Sequence, residues 1–154
     1  MRLRRIGTRA AATVVTMIAA AVLVPLAAQA APNVTAGTTG WTPQIYPLLA
    51  GESVQRNVSS ADRNAALALC SWADGVACVS VGQGDGKHSV FHLFRCETRT
   101  LANFIDALAV KNNQTGGAQV HFWGPNKQVF IPADDRIYTV ADSATYDFDH
   151  LDIC

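Results

Sequence analysis

The residues of this chain best suited to covalent or metal chemistry are its four cysteines, Cys70, Cys78, Cys96 and Cys154. An even set of thiols predicts two disulfides in an oxidising compartment, and four cysteines allow three pairings. Cys70 and Cys78 flank the turn signal Asp74-Gly75, so they could close a short loop, which would leave Cys96 for Cys154. A zinc site is the alternative, but its usual C-x2-C spacing is missing.

Two further patterns are similar to catalytic motifs, and we interpret both as strand or turn. His88 and His92 have the i, i+4 spacing that binds zinc on a helix. However, HSVFHLF is typical of a strand, on which the two residues would lie about 13 Å apart. The glycine-rich run over 82–86 has no Lys-Ser/Thr after it, and it predicts a hairpin tip instead of a phosphate loop. With no G-x-S-x-G motif and every thiol accounted for, we expect a protein that is not an enzyme.

Acidic side chains are concentrated at the C-terminus, where six aspartates lie in the last 21 residues. Asp147, Asp149 and Asp152 are the candidate metal ligands, since calcium takes 6–8 oxygen ligands from carboxylates and carbonyls. Acids in such loops are more often turn residues or solvated charge. The sequence therefore predicts weak calcium binding at most, and no other cofactor.

The first thirty residues have the pattern of a secretory signal peptide. Four arginines precede an uncharged apolar run over 11–26, and Ala-Gln-Ala at 28–30 supplies the small residues that a signal peptidase reads. We expect cleavage before Ala31, a secreted protein and no retained membrane anchor. The remaining 124 residues carry 8 basic and 12 acidic side chains, a net charge of −4. Without a basic patch, nucleic acid is not an expected partner.

The composition divides the exported chain into two parts. Residues 31–69 are rich in Pro, Gly, Thr and Ser, and they predict a flexible arm that ends in a short helix over 60–69. Residues 70–154 contain short runs rich in Val, Phe, Ile and Tyr, separated by turn residues. These runs are VACVSV, HSVFHLF, AQVHFW, KQVFI and RIYTV. Such spacing predicts an all-β, antiparallel sandwich or barrel.

The β region also contains a degenerate internal repeat. Gly82 and Gly124 each follow a strand-like run, 42 residues apart, and Asp106 and Asp149 each precede a leucine by two positions, 43 residues apart. We therefore expect two units, at about 70–113 and 114–154, each too small to bury its apolar face alone. Two such units would bury their faces against each other as a β-sandwich.

Short motifs in these units resemble the βγ-crystallin Greek key, and more closely the secreted bacterial βγ-crystallin-like proteins. The motifs are Cys70 followed by CVSV, the turn GQGDGK, and VKNNQTGGAQVHFW. That group includes small inhibitors of extracellular metalloproteases. The family's calcium sites require oxygen ligands at positions that Ile105 and Ala109 occupy in the first unit. The resemblance therefore implies any calcium site in the second unit.

The resemblance implies a secreted, monomeric, non-enzymatic binding protein with an extracellular protease as its partner. Inhibition would need a rigid exposed loop. Two loops are candidates: the cysteine loop with Trp72 and Asp74, and the glycine turn with Gly84 and Asp85. An exposed Trp72 would be an anchor, whereas a buried one would belong to the core. The alternatives are a structural or surface-interaction protein of the extracellular space, with weak calcium binding, and a small secreted hydrolase.

Overall fold

A computed structural model describes residues 40–134 and 136–154. The predicted signal peptide, residues 31–39 of the predicted arm and Asp135 lie outside the described residues. Within the part that is described, no helix is long and apolar enough to cross a membrane.

Ten strands and two short helices make up the described chain. The strands are β1 Gln44–Tyr46, β2 Ser53–Ser59, β3 Val76–Gly82, β4 Lys87–Leu93, β5 Thr98–Ala102, β6 Leu108–Asn113, β7 Val120–Trp123, β8 Gln128–Ile131, β9 Ile137–Val140 and β10 His150–Asp152. The helices are α1 Arg63–Ala68, which continues into a 3-10 turn over Leu69–Trp72, and α2 Asp142–Thr145.

The strands form two five-stranded antiparallel sheets that pack as a sandwich, which confirms the predicted all-β fold. Sheet A has the order β1-β5-β10-β7-β8, and sheet B has the order β2-β4-β3-β6-β9. The two predicted units exchange strands. In each unit the fourth strand returns beside the first, as in a Greek key, while the third strand joins the other unit's sheet.

Cross-strand pairs in the core define which residues of the two units are equivalent. Val81 pairs with Leu108 in sheet B, and Phe122 pairs with Leu151 in sheet A. All four face the core, so Leu108 and Leu151 are equivalent, at the predicted spacing. Val81 and Phe122 are then equivalent, which places Trp123 where the first unit has Gly82. The expected match of Gly82 with Gly124 is therefore wrong by one residue, because strand alternation decides which side chains face inward.

The sandwich core is a single cluster of buried side chains from both sheets. Eight of the ten strands contribute inward-facing residues to it, and β2 and β5 add the partly buried Val54 and Leu101. Because only alternate strand residues face the core, the apolar runs of the sequence are short and interrupted. The cluster contains Ile45, Ala77, Val79, Val81, Phe91, Leu93, Phe104, Leu108, Val110, Val120, Phe122, Ile131, Val140, Phe148, Leu151 and Ile153.

The structure corrects the prediction of a flexible arm outside the β domain. Residues 44–46 and 53–59 form edge strands of the two sheets, and Ile45 belongs to the core. Glu52, between these strands, forms a 2.7 Å ion pair with Arg99 of β5, and both side chains are fully buried. The sequence pattern misled because only alternate residues of an edge strand are apolar, so its overall composition is polar.

Two disulfides, Cys70–Cys78 and Cys96–Cys154, realise one of the three pairings that the sequence allowed. The second bond connects the C-terminus to the connection between β4 and β5. A closed loop of that length stabilises the fold by roughly 4 kcal/mol in the chain-entropy model. Because no cysteine is free, the zinc alternative has no thiolate ligands.

Candidate functional site

The predicted cysteine loop is attached to the sandwich through buried residues. We call residues 69–75 the stapled loop. The Cys70–Cys78 bond joins its 3-10 turn to β3, and both cysteines are buried. They pack with Ala66 and Leu67 of α1 and with Val90 and Ala109 of sheet B. The apolar face of α1 thus covers the outer side of sheet B and fixes the position from which the loop emerges.

Trp72 at the tip of the stapled loop is 87% exposed, the largest exposed fraction among the large apolar side chains of the described chain. Leu69, at the start of the same turn, is 56% exposed. Neither side chain contributes to the core, although a tryptophan is among the residues that gain most from burial. Of the two alternatives for Trp72, the structure therefore shows the exposed one, and a role in partner binding stays a prediction.

The backbone of the stapled loop is held by Asn113, the last residue of β6. Its side-chain Nδ2 donates to the carbonyl oxygens of Cys70, at 3.1 Å, and Ala73, at 3.0 Å. Its own carbonyl accepts a 2.9 Å hydrogen bond from the amide of Gly75. Gly75 has φ +80° and turns the chain into β3 beside Asp74, as the sequence predicted. Covalent and hydrogen-bonded constraints together make this exposed loop rigid.

The second candidate loop is covered only at Gly84, which is half-buried, whereas Asp85 and Gly86 at its tip are exposed. In the β3–β4 hairpin, the indole of Trp41 lies so close to Gly84 that a Cβ there would be 2.3 Å from the ring. Asp106 accepts a 3.2 Å hydrogen bond from the Gly84 amide, and Asp85 accepts one of 3.0 Å from the Lys87 amide. These contacts give Asp106 and Asp85 structural roles in the turn.

The structure does not combine the two loops into one site. They lie at opposite ends of β3, which has seven residues and is therefore about 20 Å long. Trp72 and Asp74 share the stapled loop, and Gly84 and Asp85 share the hairpin. Of the two loops, the geometry favours the stapled loop as the binding site.

The three candidate calcium ligands each have a different protein partner. Asp147 accepts hydrogen bonds of 2.9 Å from the backbone and side-chain nitrogens of Asn126, and these lower the pKa of its carboxyl group. Asp149 contacts His150 at 2.6 Å, and Asp152 accepts from the Cys154 amide at 3.2 Å. Among the described residues, no group of three or more His, Cys, Asp or Glu side chains is placed to hold a metal ion. Weak calcium binding stays a prediction.

One contact of a kind used in catalysis was missed by the sequence analysis, because its partners are 28 residues apart and belong to no motif. Ser60 Oγ lies 3.0 Å from His88 Nε2, but it also contacts the carbonyl of Gly86 at 2.8 Å. His88 Nδ1 is buried without a hydrogen-bond partner, and burial lowers the pKa of this imidazole. A nucleophilic serine needs a base that a third group orients. The arrangement therefore does not favour a hydrolase.

No protein-family model, curated protein or solved structure matches this chain.

Proposed function

We propose that this protein is a secreted, non-enzymatic binding protein that inhibits an extracellular protease through the stapled loop. The observation that carries the proposal is the 87% exposure of Trp72 on a loop held by a disulfide and by Asn113. The predicted signal peptide and the two disulfides support export, because disulfides persist in oxidising compartments. The resemblance of the CVSV, GQGDGK and NNQTGG motifs to the crystallin-like inhibitors directs the proposal toward proteases.

The energetic argument begins with the anchor. Tryptophan is enriched among the few residues that contribute most of the binding energy at protein interfaces, where truncation of such a residue costs 2 kcal/mol or more. Trp72, with Leu69 beside it, presents apolar surface that no other part of the described chain covers. A protease cleft or exosite with an apolar pocket would bury both side chains.

The rigidity of the loop is the second part of the argument. Binding by a mobile loop loses about 0.5–1.5 kcal/mol for each side chain that becomes ordered. The disulfide and the Asn113 hydrogen bonds order the backbone before any partner arrives. Such preorganisation also slows proteolysis, since a protease needs an extended segment that can enter its active site.

The test is inhibition of a panel of purified secreted metalloproteases and serine proteases by the protein that begins at Ala31. We expect inhibition of at least one protease at micromolar concentration or below, and a loss of about 30-fold or more in the Trp72→Ala variant. Tyr146→Ala is the matched control, because Tyr146 is also an exposed aromatic, at 67%, and lies outside the stapled loop.

The control variant should inhibit as well as the unmodified protein. If no protease in the panel is inhibited, the proposal is wrong and a structural or surface-interaction protein becomes the leading interpretation. If Trp72→Ala inhibits with full potency, the inhibitory surface lies elsewhere on the molecule.

A further inference from the structure

The outward-facing side of sheet A carries a group of rings that the core does not use. Outward positions alternate with the core-facing ones along each strand. Tyr46 is 74% exposed and Phe130 is 49% exposed, and three further rings on this face are partly exposed. These are His121, Trp123 and His150. Single exposed aromatics are ordinary, but five on one face of one sheet form a distinct surface, which we call the ring face.

Four of these rings are stacked in a continuous series. The ring of His121 lies 4.0 Å from that of Phe130 and 4.7 Å from that of Trp123, measured between centroids. Trp123 in turn lies 5.2 Å from His150. The planes of neighbouring rings differ by 10 to 27°. Stacking holds the rings in place, so a ligand that contacts them loses little side-chain entropy.

Polar side chains lie in register with the rings. Cross-strand pairing places one row across all five strands and a second row across four of them, and at about 4.8 Å per strand the longer row spans about 19 Å. The first row is Tyr46, Thr100, His150, Trp123 and Gln128, and the second is Thr98, Asp152, His121 and Phe130.

Two shallow depressions flank the stacked rings. One, of about 340 Å³, is lined by His121, Phe130 and Asp152 among others. The other, of about 280 Å³, is lined by Trp123, Asn126 and Gln128 among others. Each depression therefore combines a ring with an amide or a carboxylate.

The charge and size of the ring face restrict its ligand. Its outward strand positions carry no Lys or Arg side chain, and Asp152 is acidic. Lys127 lines one depression, but its Nζ donates to the Ser143 carbonyl, so a polyanion would meet little counter-charge. With two rows up to about 19 Å long and about 7 Å apart, the strand positions of the face cover on the order of 200 Å². This is smaller than the roughly 800 Å² per partner that a stable protein interface or dimer buries. A small uncharged ligand fits both restrictions, and it must satisfy hydroxyl, amide and carboxylate groups while it covers ring surfaces.

We propose that the ring face is a binding site for a neutral oligosaccharide. The C–H faces of sugar rings would pack against Tyr46 and against the free face of Phe130 at the end of the series, because neighbouring rings stack on both faces of His121 and Trp123. The sugar hydroxyls would donate to Asp152 and exchange hydrogen bonds with Thr100 and Gln128. The site is separate from the stapled loop and does not depend on the proposed inhibition.

The experiment is isothermal titration of the protein that begins at Ala31 with three neutral probes, chitohexaose, cellohexaose and xylohexaose, and with a heparin hexasaccharide as the polyanion. We expect at least one neutral probe to bind and heparin not to bind. Phe130→Ala should weaken the binding about tenfold, the loss expected for one ring contact, and His121→Ala should weaken it because Phe130 loses the ring on which it stacks. Trp72→Ala is the control and should bind with unchanged affinity.

The proposal is overturned if none of the three neutral probes binds at millimolar concentration, if heparin binds in their place, or if both ring variants bind as well as the unmodified protein. Gln128→Ala provides a second readout that removes no ring. It removes an exposed amide whose Oε1 lies 3.3 Å from His121 Nε2, so its fold is expected to be unchanged, and its affinity should fall severalfold.

Discussion

The buried ion pair between Glu52 and Arg99 gives the sharpest test of how the N-terminal segment is attached to the sandwich. Glu52 Oε1 accepts hydrogen bonds from the amides of Phe94 and Arg95, at 3.0 and 3.1 Å, and from Arg99 Nη2 at 2.7 Å. Its second oxygen accepts from the Leu49 amide at 2.9 Å. One carboxylate thus satisfies four donors from three parts of the chain, in a site without solvent exposure.

The perturbation is Glu52→Gln, which keeps the size of the side chain and removes its charge. A glutamine has one acceptor oxygen and one NH2 group, so at least one of the four donors would face another donor. Arg99 would remain buried without its hydrogen-bonded counter-charge, and only the charges of Glu97 and Asp152 would still act on it. Because removal of one partner of a buried pair costs about 3–5 kcal/mol, we expect a loss of that size in the free energy of unfolding. For a domain of this length the melting temperature should fall by roughly 10–20 °C.

Arg99→Met is the companion variant, and it should cost less. Two of the Arg99 nitrogens, Nε and Nη1, already lack a hydrogen-bond partner, so the methionine removes unsatisfied donors along with the charge. Glu52 would still accept from three backbone amides. We expect the free energy of unfolding of Arg99→Met to be about 2 kcal/mol larger than that of Glu52→Gln. The double variant should also be more stable than Glu52→Gln alone.

The measurement is urea and thermal unfolding at pH 7 with both disulfides intact. A melting temperature of Glu52→Gln within about 2 °C of the unmodified protein would refute the reasoning, since it would mean that Glu52 is hydrated and the segment before β2 is not docked. If Glu52→Gln and Arg99→Met lost the same free energy of unfolding, the predicted difference between the two partners would be refuted.

Three further predictions follow from other contacts. Asn113→Ala removes two hydrogen bonds from the stapled loop, so we expect the free energy of unfolding measured in urea to decrease by about 1–3 kcal/mol. Hydrogen exchange at the Gly75 amide should also become faster. The control Gln119→Ala, at an exposed position, should change neither quantity. Burial lowers the pKa of His88 and His92 below the unfolded value of about 6.5, so the unfolded chain binds more protons below that pH. The contribution of these two histidines to the free energy of unfolding should therefore be fully present above about pH 6.5, and it should be lost as the pH decreases toward the folded pKa values. A pH-independent melting temperature between pH 7 and 5 would contradict this. Calorimetry with calcium should show no binding tighter than about 10⁻³ M, because the candidate carboxylates already accept protein hydrogen bonds, and a micromolar site would show this reading to be mistaken.

The fold class could be predicted from the sequence because its signals are local. Runs such as VACVSV alternate between the two faces of a strand, and Gly75 and Gly84 have the positive φ that their turns require. The helix expected over 60–69 is present as α1 and the 3-10 turn that follows it. In each case a few adjacent residues contain the relevant information.

The candidate site could be predicted only as a set of loops. The sequence predicts Trp72 and Asp74 as loop residues because a disulfide is expected beside them, yet the same sequence also allows Trp72 to lie in the core. The support from Asn113 was not foreseen, because 40 residues separate it from Ala73. The ring face was also missed, since its rings come from four strands and meet only through cross-strand register.

By itself, the sequence determined the even number of cysteines, the strand and turn pattern, the two-unit organisation and the expectation of export. Tertiary structure alone decided which cysteines pair, that the third strands are exchanged between the sheets, that residues 44–59 complete both sheets, and that Trp72 faces solvent. The physical reason is that local conformation depends on neighbouring residues. Strand pairing and exposure depend on which distant apolar faces bury each other, and several arrangements satisfy the same alternation.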